Sequence, residues 1–169
     1  EAMQYAADRG ARVLNLSLGG SAPDANMLAA INYARSRGCL VVAAAGNQGS
    51  SLLYPAAYTE SLAVAATTDQ RTHPSYSNTG PGVDVAAPGG TDALGIYSLA
   101  PGGGYSSLYG TSMSTPIVSG VAALLLTVAP SLTSDQIIAV LQGTANKVGA
   151  KAYNAAGWND QMGYGEINA

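Results

Sequence analysis

The sequence predicts an α/β fold of three layers, a parallel sheet flanked by helices, and three observations carry that expectation. Amphipathic segments of helical period alternate with short apolar segments of strand length. One of the latter, CLVVAAA from Cys39 to Ala45, is apolar at nearly every position, as in a strand covered on both faces. The order helix, strand, helix, strand begins at the first residue, and right-handed crossovers turn that order into a parallel sheet. A length of 169 residues suffices for one domain with a sizeable core, so 1–169 is read as a single unit.

The chain opens on EAMQYAADRG, where Ala2, Met3, Ala6 and Ala7 share a helical face and Gly10 ends the helix. It reads as the tail of a larger architecture. RVLNLSL, from Arg12 to Leu18, alternates Val and Leu with smaller polar residues and stops at Gly19-Gly20, the pattern of a strand. Ser21 or Asp24 can cap the next helix, whose stripe is Met27, Leu28, Ile31 and Ala34, with Gly38 closing it. After the strand at 39–45, LAVAAT (Leu62 to Thr67) and VDVAA (Val83 to Ala87) extend the sheet. The glycine-rich span from Gly89 to Gly104 reads as loop around one short strand, GIYSL. Two helices close the chain, one following Ser112 and ending near Pro130, the other running from Thr133 to Ala145 with Ile137, Ile138 and Leu141 inward.

Composition narrows the function. Charged residues make up 10% and hydrophobic ones 47%, a profile that suits a close-packed extracellular enzyme. A net charge of -3 without a Lys or Arg cluster argues against nucleic acid or an anionic membrane as partner. Cys39 is the single cysteine, so neither an internal disulfide nor a Cys-rich metal site can form. The longest apolar run, Val121 to Ala129, is shorter than the roughly 20 residues a bilayer span needs.

In YGTSMSTPIVSG, Tyr109 to Gly120, Ser112 stands where a helix begins. Free backbone N–H groups and the positive end of the helix dipole favour a developing negative charge there. The same position suits Thr111 or Ser112 as a plain N-cap. The pattern fails the G-x-S-x-G nucleophile elbow because position 114 is Ser. Asn47 follows AAAG at the end of the apolar strand, where open parallel sheets bind ligands; it is either a turn residue or an amide donor. Gly19 and Gly20 serve a tight turn or keep the backbone bare for an extended peptide. His73, the only histidine, precedes Pro74 in the polar run TTDQRTHPS and reads as part of an exposed turn. Asp84 in VDVAAPG reads locally as a strand-edge carboxylate.

Together these segments resemble the subtilisin-like serine proteases. GTSMSTPIVSG is similar to that family's catalytic-serine motif, VLNLSLGG to its substrate-binding strand and VVAAAGN to its oxyanion-hole segment. YPAAYTESLAVAATTDQRTHPSYSNTGPGVDVAAPG follows the intervening region and MGYGEINA the C-terminal signature. The resemblance implies the C-terminal portion of a subtilisin-like peptidase domain, its fold incomplete on the N-terminal side, acting on polypeptides outside the cell. It makes Ser112 the nucleophile and Asn47 the side-chain donor of the oxyanion hole, with the Ser112 backbone N–H as second donor. Ser17, Leu18 and Gly19 would pair with substrate backbone, and Ala44, Ala45 and Gly46 would line the primary specificity pocket. Catalysis in this family needs no cofactor; several relatives hold structural calcium at a position corresponding to Asp84, with carbonyls near Glu60 and Leu62.

The departures are specific. Ser114, Ile117 and Ser119 replace the family's usual Ala, His and Ala. Leu53, before Tyr54-Pro55, replaces a frequent Gly at the pocket floor, which implies a shallower pocket for smaller side chains. The Asp-Thr/Ser-Gly and His-Gly-Thr motifs that carry the family's catalytic Asp and His do not occur in these residues. The expectation is therefore an inactive isolated chain, completed by the N-terminal part of the domain. A non-catalytic peptide-binding module, or one that buries its face against a second copy, is the competing expectation.

Overall fold

The computed structural model describes all 169 residues. Helix α1 (Ala2–Asp8) leads into strand β1 (Val13–Leu16), α2 (Ala25–Ser36) into β2 (Leu40–Ala44), and β3 (Leu62–Thr67) and β4 (Val85–Pro88) follow. These four strands form one parallel sheet in the order β1-β2-β3-β4, with β1 at its edge. After a hairpin, α3 (Thr111–Val128) and α4 (Ser134–Thr144) complete the fold.

Alternation along β2 decides which side each helix takes. Leu40 and Val42 join Val118 and Ala122 of α3 and Ile137 and Leu141 of α4 in one core. Val41 and the preceding Cys39 face the other way, against Ala7 of α1 and Ile31 and Ala34 of α2. Every residue of β2 is buried, because its side chains are covered from both layers. The three layers expected from the sequence are thus helix pair, sheet, helix pair. α3 is long and apolar enough to cross a membrane by length and composition, but here it is the central core helix laid across all four strands.

Local chemistry explains the boundaries. Asp24 caps α2, its carboxylate accepting from the Met27 N–H at 2.8 Å, and Ser21 does not. Thr133 and Gln136 form a reciprocal capping box on α4. Arg12, just before β1, donates to the carbonyls of Gly38, Pro130 and Leu132, tying the edge strand to both helical layers.

Two expectations need correction. The span from Gly89 to Gly104 is not loop around a lone strand. β5 (Ile96–Leu99) pairs antiparallel with β6 (Tyr105–Leu108), the turn between them made by Gly102, Gly103 and Gly104, all at positive φ. Neither Thr111 nor Ser112 is an N-cap. The cap position is Gly110, at φ +134° and without a side-chain bond, so Thr111 and Ser112 are the first two residues of α3.

Candidate active site

Ser112 lies in the first turn of α3, where backbone N–H groups have no intrahelical partner; its own N–H makes no hydrogen bond within the chain. Opposite stands Asn47, just past the end of β2. Its Oδ1 accepts from the Thr111 N–H at 2.9 Å and from the Thr111 hydroxyl at 2.8 Å. A backbone N–H can only donate, so the amide atom facing it must be oxygen, which leaves Asn47 Nδ2 turned to the other side. That NH2 group donates to nothing in the chain. Two donors, the Ser112 amide and Asn47 Nδ2, are therefore free beside the Ser112 hydroxyl, the arrangement that stabilises an oxyanion.

Thr111, which with Ser112 suited an N-cap, orients Asn47 instead. Besides holding Asn47, its hydroxyl accepts from the buried Gly46 N–H at 3.2 Å. Asn78 is a second such residue. Fully buried, it takes the N–H groups of Gln48 and Ser50 on its carbonyl and gives its own N–H groups to the carbonyls of Ala45 and Ser51, so it shapes the whole segment that presents Asn47. Its signal in the sequence is slight, an amide close to a glycine in SNTG.

A cavity of about 160 Å³ adjoins these groups, lined by Leu18, Gly19, Ala44, Gly46, Asn47, Leu53 and Ser112 among others. Ala45, expected in this lining, does not border the cavity: it is fully buried, its N–H on the Val64 carbonyl and its own carbonyl taken by the Leu53 N–H. Leu53 is fixed at the floor by its neighbours. Its N–H donates to the Ala45 carbonyl, and Tyr54 exchanges two 2.8 Å backbone bonds with Gly20. The side chain fills the space over two glycines: a Cβ built on Gly46 would stand 2.8 Å from Leu53 Cγ, and one on Gly19 2.9 Å from Leu53 Cβ. Ser17, Leu18 and Gly19 form the exposed rim. Their N–H groups donate to nothing in the chain, as a strand awaiting an extended partner requires.

On the other side of Ser112 lies an apolar cavity of about 360 Å³, bounded by Met113, Pro116 and Ile117 of α3 and by Ile96 and Leu108 of the hairpin. No proton acceptor for Ser112 stands there. The contact of Ser112 Oγ is the Ser17 carbonyl at 3.5 Å. His73 lines neither cavity. Its charged neighbours are Asp160 and Lys151, its Nε2 has no hydrogen-bond partner, and burial lowers its pKa below the usual histidine value.

Asp84, expected to hold calcium, has its oxygens committed elsewhere. Oδ2 accepts from the Ala63 N–H at 2.8 Å and Oδ1 from Gln142 Nε2 at 2.9 Å. The Glu60 carbonyl accepts from the Arg35 guanidinium, a cation already in place. Calcium takes roughly six to eight oxygen ligands. One carboxylate already bonded by N–H groups, and outside any cluster of three or more Asp, Glu, His or Cys, does not fit that ion. Burial pushes the Asp84 carboxyl up to about 6, against the opposing pull of its two hydrogen bonds.

With this geometry in view, comparison with known proteins is direct. The profile of the subtilase family, peptidase S8, matches residues 1–165. The chain is 44% identical over 151 residues to subtilisin BL of Lederbergia lenta, covering 89% of this chain and 55% of that protein. It is 41% identical over 170 residues to alkaline elastase YaB of a Bacillus strain, covering all of this chain and 42% of that one. Among solved structures, sphericase superposes with a TM-score of 0.89 at 33% identity, over 98% of this chain and 61% of its own. The chain thus spans about half the length of the curated relatives it matches.

Proposed function

The chain belongs to the subtilase family, and from that premise we propose that it is the part of a secreted serine endopeptidase that carries the nucleophile and the oxyanion hole. The observation that carries this reading is the pair of unspent donors, Asn47 Nδ2 and the Ser112 amide, beside the Ser112 hydroxyl at the mouth of the Leu53 cavity.

In the proposed reaction an extended polypeptide pairs with the free N–H groups of Ser17 to Gly19. Ser112 Oγ attacks the scissile carbonyl and gives up its proton to a base. The negative charge that forms on the carbonyl oxygen is met by the two donors, which need no reorganisation at that moment. Collapse expels the amine, which leaves with the proton, and water then cleaves the acyl-Ser112 ester by the same steps in reverse roles. A serine hydroxyl without a base is a poor nucleophile at neutral pH. We assign the base and its orienting acid to sequence outside these 169 residues, supported by the setting of His73 against Asp160 and Lys151. The open edge of β1 and the apolar cavity beyond Ser112 are the surfaces that this further part of the domain would cover. Leu53 restricts the residue before the scissile bond to a small side chain, supported by its position across Gly19 and Gly46.

An activity-directed organophosphonate tests the reading. In protein carrying the whole domain, mass spectrometry is expected to find the adduct on Ser112, and none in Ser112→Ala or in the 169-residue chain alone. Labelling that survives Ser112→Ala removes the assignment. Cleavage of a peptide library tests Leu53 separately: a preference for large aromatic side chains before the scissile bond is the result that contradicts it.

A further inference from the structure

The polar side chains between β1 and α3 form a chain of hydrogen bonds that runs one way. Ser17 Oγ lies 2.9 Å from the Ser112 carbonyl, which can only accept, so the single hydroxyl proton of Ser17 is spent there. Whatever faces Ser17 Oγ from Asn15, at 2.9 Å, must then be a donor, and it is the amide Nδ2. That fixes the other end of the same amide. Asn15 Oδ1 is turned to α3, where Ser119 Oγ lies 3.0 Å from it and shares its proton with the Thr115 carbonyl, also at 3.0 Å. Every link therefore points from the middle of α3, through the edge strand, to the carbonyl of Ser112.

The direction is what matters. With the Asn15 amide turned over, its oxygen would face Ser17 Oγ and compete with the Ser112 carbonyl for the one proton available. Asn15 is exposed and Ser119 half-buried, so neither is a core-packing residue. Ser119 also stands where the family usually has Ala. Ser17 meets Ser112 twice, with its hydroxyl on the Ser112 carbonyl and with its own carbonyl 3.5 Å from Ser112 Oγ. In the proposed reaction the substrate pairs with the rim that begins at Ser17, so the relay sets the distance from the paired substrate to the attacking oxygen. An error of about 1 Å in such a distance can cost roughly 100-fold in rate.

We infer that Asn15 and Ser119 are positioning residues, which act through the Ser17 hydroxyl to hold Ser112 in register with the substrate-binding rim. The inference rests on the reading of Ser112 as the nucleophile.

Steady-state cleavage of a peptide by protein carrying the whole domain tests it. Asn15→Asp keeps the shape of the side chain but replaces the donor by an acceptor, which draws the Ser17 proton away from Ser112. The expected result is a fall of about tenfold in kcat with KM changed by less than about twofold. Asn15→Leu removes the donor without reversing the bond, and a smaller fall of about threefold is expected. In a Ser17→Ala background, which has no proton to redirect, Asn15→Asp is expected to lower kcat no further. Ser119→Ala restores the family's usual residue, so it serves should the Asn15 variants fail to fold, and a fall of about twofold in kcat is expected, absent in the Ser17→Ala background. Unchanged kcat in Asn15→Asp, or in Ser119→Ala where that variant alone folds, overturns the inference. So does a greater loss in Asn15→Leu than in Asn15→Asp, the ranking of a merely structural role, or an equal loss with and without the Ser17 hydroxyl, the mark of the added charge alone. Each of these leaves the nucleophile in place. A parent that neither cleaves peptide nor takes an organophosphonate on Ser112 overturns the nucleophile reading instead, and the positioning role with it.

Discussion

The hydroxyl of Ser17 donates to the carbonyl of Ser112 at 2.9 Å, across 95 positions of sequence. A proline makes that bond necessary. In an α-helix the Ser112 carbonyl would accept from the N–H of residue 116, but Pro116 has none. The exposed rim of Ser17 to Gly19 therefore supplies the donor that α3 itself lacks. Ser17→Ala is expected to lower stability by about 1 kcal/mol, measured by denaturant unfolding, while Ser17→Thr retains it.

Thr111 orients Asn47, so its effect on the proposed reaction can be tested. Thr111→Val keeps the shape but removes the 2.8 Å bond that holds Asn47 Oδ1 and strands the buried Gly46 N–H. The expected outcome in the whole protease is a fall of about tenfold in kcat with little change in KM, because a hydroxyl that orients an oxyanion donor matters only in the transition state. Asn47→Leu is expected to cost more, about 100- to 1000-fold, the loss known for removal of such a donor in a subtilisin.

Gly46 admits no side chain. At φ +110°, a Cβ there would stand 2.3 Å from Asn78 Nδ2 as well as pressing on Leu53. Gly46→Ala is expected to destabilise by more than about 3 kcal/mol, seen as a lowered denaturation midpoint. Leu53→Ala relieves only one of these contacts, so adding it to Gly46→Ala is expected to rescue stability in part.

The pH dependence follows from Asp84. Its folded pKa, about 6, lies above the ordinary 3.8, so the folded state binds this proton more tightly than the unfolded one. Its contribution is fully present below about pH 4, declines through the interval up to about pH 6, and is lost above it. The decline amounts to roughly 3 kcal/mol at most. Asp84→Asn is expected to remove it: the difference in unfolding free energy between variant and parent should change between pH 4 and 7 and stay constant beyond. A difference that is the same at both ends would contradict the assignment.

Glu166 is a buried carboxylate with a counter-charge, bonded by the Thr67 hydroxyl at 2.6 Å and Arg71 Nε at 2.7 Å. Glu166→Ala leaves two donors without an acceptor, and a loss of about 2 kcal/mol is expected by thermal unfolding, less in high salt because Arg71 is half exposed.

Much of the architecture was legible because it is local. The unbroken apolar run at 39–45 announces a strand with helices on both sides, and the Thr133-to-Gln136 spacing announces the start of α4. The hairpin was half legible: Ile96–Leu99 has strand character, whereas its partner Tyr105–Leu108 is masked by the glycines that let the chain turn back. The site was legible as motifs, GTSMS and AAAGN, since a nucleophile at a helix start and an amide at a strand end are both short-range patterns.

By itself, the sequence determined the three layers, the family, and the choice of Ser112, Asn47 and Leu53, residues that share one cavity. Only the tertiary structure decided that Ala45 is buried away from the cavity, that Thr111 orients Asn47 from 64 positions away, that Ser17 satisfies Ser112, and that Asp84 is bound by N–H donors where an ion had been expected. Periodicities of 2 and 3.6 residues report which way a side chain points within its own element. Hydrogen bonds between loops at the carboxyl ends of parallel strands depend on how the crossovers bring distant turns together, and no local pattern records that distance.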